Sequence, residues 1–168
     1  MHVLVVHAVV VLVPLVALGT LAVALVPRWR RQFGGLLALL SLVSVLVLPL
    51  ALESGEALGE RVGVPELHAD LAETLPWLAV PLFLLTTALW WLGRGDTRAD
   101  TRAGADHDGS VAVGSRGRTL QRVLATLAVL FALAAAVDVV AVGHTGASAA
   151  WTDRLAPATG SPTPSDGD

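Results

Sequence analysis

Residues 3–52 read VLVVHAVVVLVPLVALGTLAVALV, then PRWRRQF, then GGLLALLSLVSVLVLPLAL. Two long runs, Val3 to Val26 and Gly34 to Leu52, hold no Asp, Glu, Lys or Arg, and the short insert between them carries Arg28, Arg30 and Arg31. A helix needs about 20 apolar residues to cross the hydrocarbon of a bilayer. Each run therefore predicts one membrane crossing, and the basic insert, Pro27 to Phe33, predicts a short turn at one membrane face.

The pattern recurs downstream. Leu75 to Leu92 and Val123 to Val142 also lack Lys and Arg, and they are separated by an acidic segment (Glu53 to Thr74) and a Gly/Asp/Arg-rich connection (Gly93 to Arg122). Hydrocarbon offers no partner for a peptide group, so each span is expected to close its own hydrogen bonds as a helix. The fold expected is an all-α, integral membrane, up-down-up-down four-helix bundle. Pro14, Pro49 and Pro81 inside the spans predict kinks, not breaks. Within Glu66 to Thr74, Leu67 and Leu71 stand at helical spacing with Leu75, so the third helix is expected to begin before the membrane surface, with Pro65 suited to its first turn. The membrane domain is read as residues 1–155. The linker 93–118, with its tandem DTRA repeat at Asp96 to Ala103, and the tail 156–168 read as disordered by composition.

Composition excludes several classes of function. Of 168 residues, 54% are hydrophobic and 15% charged, with a mean hydropathy of +0.69, against about 25% charged residues in an average soluble domain. No room is left for a separate soluble catalytic domain. Cysteine is absent, which removes disulfides, thiolate metal sites, iron–sulfur ligation and covalent haem attachment. Phosphate-binding loops and nucleic-acid patches are absent too, so the lipid bilayer is the expected partner and nucleic acid is not. Ser54 lies beside Glu53 and Glu56, but it lacks a suitable base to activate it as a nucleophile unless His68 folds over it. Whether the chain is an enzyme stays open.

Every basic residue is Arg, and only Arg61 and Arg154 fall outside the first and third connections. By the positive-inside rule those two connections face the cytoplasm, and both termini face outward. Trp29, Trp90 and Trp91 then mark the inner interface, Trp77 and Trp151 the outer one. No basic segment precedes the first span, so it is expected to be a retained helix and not a cleaved signal.

With this topology the ionisable residues gather at one depth, the outer rim. His7 lies about one turn inside helix one, Glu53 and Glu56 follow helix two, His68 and Glu73 precede helix three, Asp138 lies about one turn inside helix four, and His144 follows it. An acid within a span costs about 2.5–3.5 kcal/mol on insertion scales and normally faces the bundle interior or a partner. Small neighbours, Ala134, Ala135 and Ala141 with Val142, mark the Asp138 side as packed. His7 is the residue expected beside it. Three readings of the rim follow. His7 and His144 could ligate a b-type haem, with Gly143 and Gly146 leaving space for the porphyrin edge. His7, His68 and His144 could instead bind a divalent metal ion, supported by the carboxylates Glu53, Glu56 and Asp138. Or these groups close the bundle by hydrogen bonds with no cofactor at all.

The chain also resembles a family of small bacterial integral membrane proteins catalogued as domain of unknown function 2231. The resemblance rests on Val5-Val6-His7-Ala8, Pro27-Arg28-Trp29-Arg30-Arg31, Ser54-Gly55-Glu56, His68-Ala69-Asp70-Leu71 with Thr74-Leu75, and Gly143-His144-Thr145-Gly146-Ala147. It implies a four-helix domain of the bacterial plasma membrane whose biochemistry is undetermined. Relatives of this type are sometimes fused ahead of a Rieske-type iron–sulfur domain, which implies an accessory role linked to redox chemistry. A chain without cysteine would need a separate membrane redox partner for that.

Overall fold

The computed structural model describes residues 2–63, 66–103 and 111–155. They form four helices: α1 (His2–Leu25), α2 (Pro27–Val62), α3 (Glu66–Ala103) and α4 (Val111–Leu155). α1 packs on α2 and α4, and α3 packs on the same two, so the helices close into a square of sequential neighbours. Each contains a window long and apolar enough to cross a membrane.

The helices are longer than the spans that seed them. α2, α3 and α4 have 36, 38 and 45 residues, and at 1.5 Å per residue they reach about 54 to 67 Å against about 30 Å of hydrocarbon. The basic segment Pro27 to Phe33, expected as a turn, is the start of α2, and a single residue, Val26, joins it to α1. Pro27 has no N–H to lose and a φ already suited to a first helical position. Most of the acidic segment is helical as well, for α2 runs on to Val62 and α3 starts at Glu66. A span that has already formed removes the nucleation cost for its polar extension. Gly63 ends α2 with φ of 74°, its N–H bonded to the Gly59 carbonyl at 2.8 Å, a conformation open to a residue without Cβ. Helix also enters the expected linker 93–118 from both sides, to Ala103 and from Val111. Residues 104–110, Pro65 and the tail 156–168 lie outside the described residues. Pro14, Pro49, Pro76 and Pro81 all sit inside helices that continue past them.

Packing is that of a bundle in lipid. On α4 the buried stripe is Ala128, Ala132, Ala135 and Val139, while Leu127, Leu130, Leu133 and Val137 face outward. A helix of a water-soluble bundle would bury the leucines. Here small residues let helices approach closely and large ones meet the acyl chains. The packed side expected around Asp138 holds at Ala135 and Val142, but Ala134 is exposed and the stripe continues through Ala132 and Ala128 instead. Val9, Val13 and Val16 of α1, Leu37 and Leu48 of α2, and Leu75 and Leu82 of α3 complete the core. Among the described residues the hydroxyl-bearing side chains Thr20, Ser41, Ser44 and Thr86 are buried with them, and so is the Thr87 hydroxyl oxygen. Thr20 and Ser44 donate to carbonyls one turn back on their own helices, and Ser41 and Thr86 meet at 3.3 Å between α2 and α3.

Candidate functional site

The ends of the bundle differ in charge. One carries the α1/α2 joint with its arginines; the other carries Glu53, Glu56, Glu60, Glu66, Asp70 and Glu73 and is the site expected from sequence.

At this acidic end His68, in the first turn of α3, is half-buried against α4. Its Nδ1 lies 3.1 Å from the Val142 carbonyl and 3.1 Å from Thr145 Oγ1. The Thr145 hydroxyl has acceptors of its own in the Ala141 and Val142 carbonyls, each at 3.0 Å. One assignment satisfies every group: Nδ1–H donates toward Val142 and Thr145, Thr145 donates to its own helix, and Nε2 keeps its lone pair. The ring fills a notch at Gly146, where a Cβ would lie 2.9 Å from His68 Cε1. Space expected there for a porphyrin edge is thus occupied by the imidazole, while Gly143 has nothing within 4 Å.

Less than two turns further along α3, the Thr74 hydroxyl lies 2.8 Å from Asp138 Oδ2 and 2.7 Å from the Leu71 carbonyl. A carboxylate is the stronger acceptor of the two. Sequence paired Asp138 with His7; the partner that the structure gives its carboxylate is Thr74 on α3. His7 on α1 and His144 on α4 are both exposed, as are Glu53, Glu56 and Glu73. Ser54 Oγ donates to the Ala51 carbonyl of its own helix at 3.1 Å. Among the described residues, no group of three or more His, Asp or Glu side chains is placed to hold a metal ion. Thr74 and Thr145 escaped the sequence reading as site residues. The available signal was a hydroxyl placed next to each flagged motif, beside Glu73 and beside His144.

The basic end is built differently. Trp90 of α3 lies over Gly34 and Gly35 of α2, where added Cβ atoms would meet the indole at 2.8 and 2.9 Å. The Arg94 guanidinium stacks on the same indole, 4.3 Å from the ring centroid. Arg30 is buried and reaches back to α1, with Nε donating to the Val23 carbonyl at 3.2 Å and Nη2 to Ala24 at 3.3 Å. The last carbonyls of a helix have no partner within it, and a cation there also opposes the negative end of the helix dipole.

A family model described as predicted membrane protein (DUF2231) matches residues 1–159. No curated protein and no solved structure matches the chain.

Proposed function

The chain belongs to this family of predicted membrane proteins, and from that premise we propose that it is an accessory, assembly-type subunit of the bacterial plasma membrane. Both termini face outward, and the acidic-end cluster acts as a clasp between α3 and α4. The observation that carries this reading is the seating of His68 in the Gly146 notch, with Nδ1 bonded across the helix seam. α1 and α2 are joined through Val26, and only three residues separate the end of α2 from the start of α3, whereas α3 ends at Ala103 and α4 begins at Val111. Short joints define which helices pair; a longer one leaves that to side chains at the far end.

A second reading keeps the cluster as a redox accessory site. His68 with His7 or His144 would hold a b-type haem and serve a separate membrane redox partner; a divalent metal ion shared with Glu53, Glu56 and Asp138 does not fit, because among the described residues no three such side chains converge. Its support is the orientation of the His68 ring: one ring nitrogen set against a backbone carbonyl, with the other turned away from it, is how ligating histidines are usually held.

Full-length protein purified in detergent after haem-replete growth separates the two. The clasp reading expects no Soret or α band in a reduced-minus-oxidised spectrum, metal well below one ion per chain, and a lower unfolding midpoint for His68→Ala. A haem band that His68→Ala abolishes without loss of helicity would overturn the clasp and establish the redox site.

A further inference from the structure

Contacts across the seams set the four helices in register. Arg30 of α2 donates to the Val23 carbonyl of α1 and lies against Gly93 of α3, so Trp29 stands level with Ala24 and Arg94. Thr74 of α3 meets Asp138 of α4, so Trp77 stands level with Ala135. Counting 17 residues back from Ala135 along α4 and from Ala24 along α1 reaches Arg118 and His7, the same interval that separates Trp77 from Arg94 on α3. Two levels result. One carries Arg28, Trp29, Arg94 and Arg118, all exposed; the other carries Trp77 and His7, exposed as well. At 1.5 Å per residue they lie about 26 Å apart, close to the hydrocarbon thickness of about 30 Å. Beyond the first turn at the arginine level, every helix is free of Asp, Glu, His, Lys and Arg as far as the level of Trp77, and Leu18, Leu39, Leu84 and Leu133 are exposed in between.

The helices continue past Trp77. On α3, His68 is nine residues beyond it, about 14 Å, and on α4 Trp151 is 16 residues beyond Ala135, about 24 Å. Trp77 and Trp151, expected at one interface, therefore stand in different planes. α1 stops at His2, about 8 Å past His7, whereas α2 and α4 run to Val62 and Leu155 and α3 starts at Glu66. Glu53, Glu56, Glu60, Glu66, Asp70 and Glu73 are all exposed on this extension, and charges are costly in hydrocarbon. We propose that the bilayer surface lies at Trp77, with lipid covering the belt from Trp77 to Trp29. The rest of α2, α3 and α4 then stands beyond the membrane as a three-helix head in water, and the seat of His68 belongs to that head. Tryptophan favours such a boundary between hydrocarbon and water. A ligand or partner of His68 thus arrives from the aqueous phase and not through lipid. The placement is the same whichever membrane face the acidic end occupies, and it does not depend on the clasp reading.

The chain has no cysteine, so single cysteines can carry a nitroxide label to exposed sites in the full-length protein. Ala69→Cys and Ala147→Cys report on the head, Leu84→Cys and Leu133→Cys on the belt; all four positions are exposed. In vesicles of phosphatidylcholine and phosphatidylglycerol, power-saturation paramagnetic resonance compares collisions with oxygen, which concentrates in lipid, and with a water-soluble nickel chelate. Nickel collisions should exceed oxygen collisions at 69 and 147, and the order should reverse at 84 and 133. Circular dichroism checks helicity, and Glu66→Cys with Leu130→Cys repeats the comparison should a first-choice variant lose it. Oxygen preference at a head position overturns the proposal, because the membrane would then enclose the acidic end. Nickel preference at a belt position overturns it as well, because lipid would then not cover that level. Loss of stability in His68→Ala bears on the clasp alone and leaves these preferences unchanged.

Discussion

At the basic end of the bundle Trp90 lies on two glycines of α2 and Arg30 covers the carbonyls that end α1. At the acidic end His68 and Thr74 reach α4 through hydrogen bonds to a carbonyl, a hydroxyl and a carboxylate. Both ends use a glycine notch, but what fills it differs: a large indole at one, an imidazole held by its nitrogen at the other. The basic end is thus sensitive to the size of its residues and the acidic end to their chemistry. Polar pairs within membrane bundles average only about 0.6 kcal/mol, whereas close packing admits no extra methylenes without strain.

The largest effect should come from Gly34→Leu, which drives a branched chain into Trp90 and should cost about 3 kcal/mol of stability. SDS unfolding followed by circular dichroism would measure it. Gly143→Leu, at a glycine with open space around it, serves as the matched control and should stay within about 0.5 kcal/mol of wild type. Equal losses at the two positions would break the contrast. Next comes His68→Ala, at about 1–2 kcal/mol for the lost cross-helix bonds and the notch left unfilled at Gly146. Gly146→Ala should act on the same contact. A double-mutant cycle between them should therefore be non-additive by more than about 0.5 kcal/mol, and simple additivity would show that the ring is not held in the notch. Gly63→Ala, which forces a Cβ into positive φ, should cost about 1 kcal/mol and lower the melting temperature without altering the response to His68→Ala. The smallest change is expected for Ser41→Ala at the Thr86 contact, about 0.6 kcal/mol. A loss there as large as that of His68→Ala would move the important polar contact from the acidic end to the middle of the bundle.

The four crossings were legible because a run such as Val3 to Val26 has only one economical state in hydrocarbon. Helix ends were not. Glu53 to Val62 and Arg94 to Ala103 carry the charged and small residues of a loop, and what makes them helical is the span already formed beside them. The same limit applies to the site. Glycine 146 was recognisable as a place of close approach, but a sequence holds no record of which side chain approaches, and the imidazole came from a segment far away in the chain. Asp138 was rightly suspected of facing a neighbouring helix, and periodicity alone could not choose α3 over α1. Arg30 shows the converse: counted as one charge among many for orientation, it proves to be a buried cap.

The joint at Val26 bears on how the protein enters its membrane. With one residue between α1 and α2 and Arg30 bridging back to Val23 and Ala24, there is no slack by which one helix could settle while the other waits. The two form a hairpin whose closed end carries a cluster of fixed charges. During synthesis such a hairpin would enter the bilayer as a single piece.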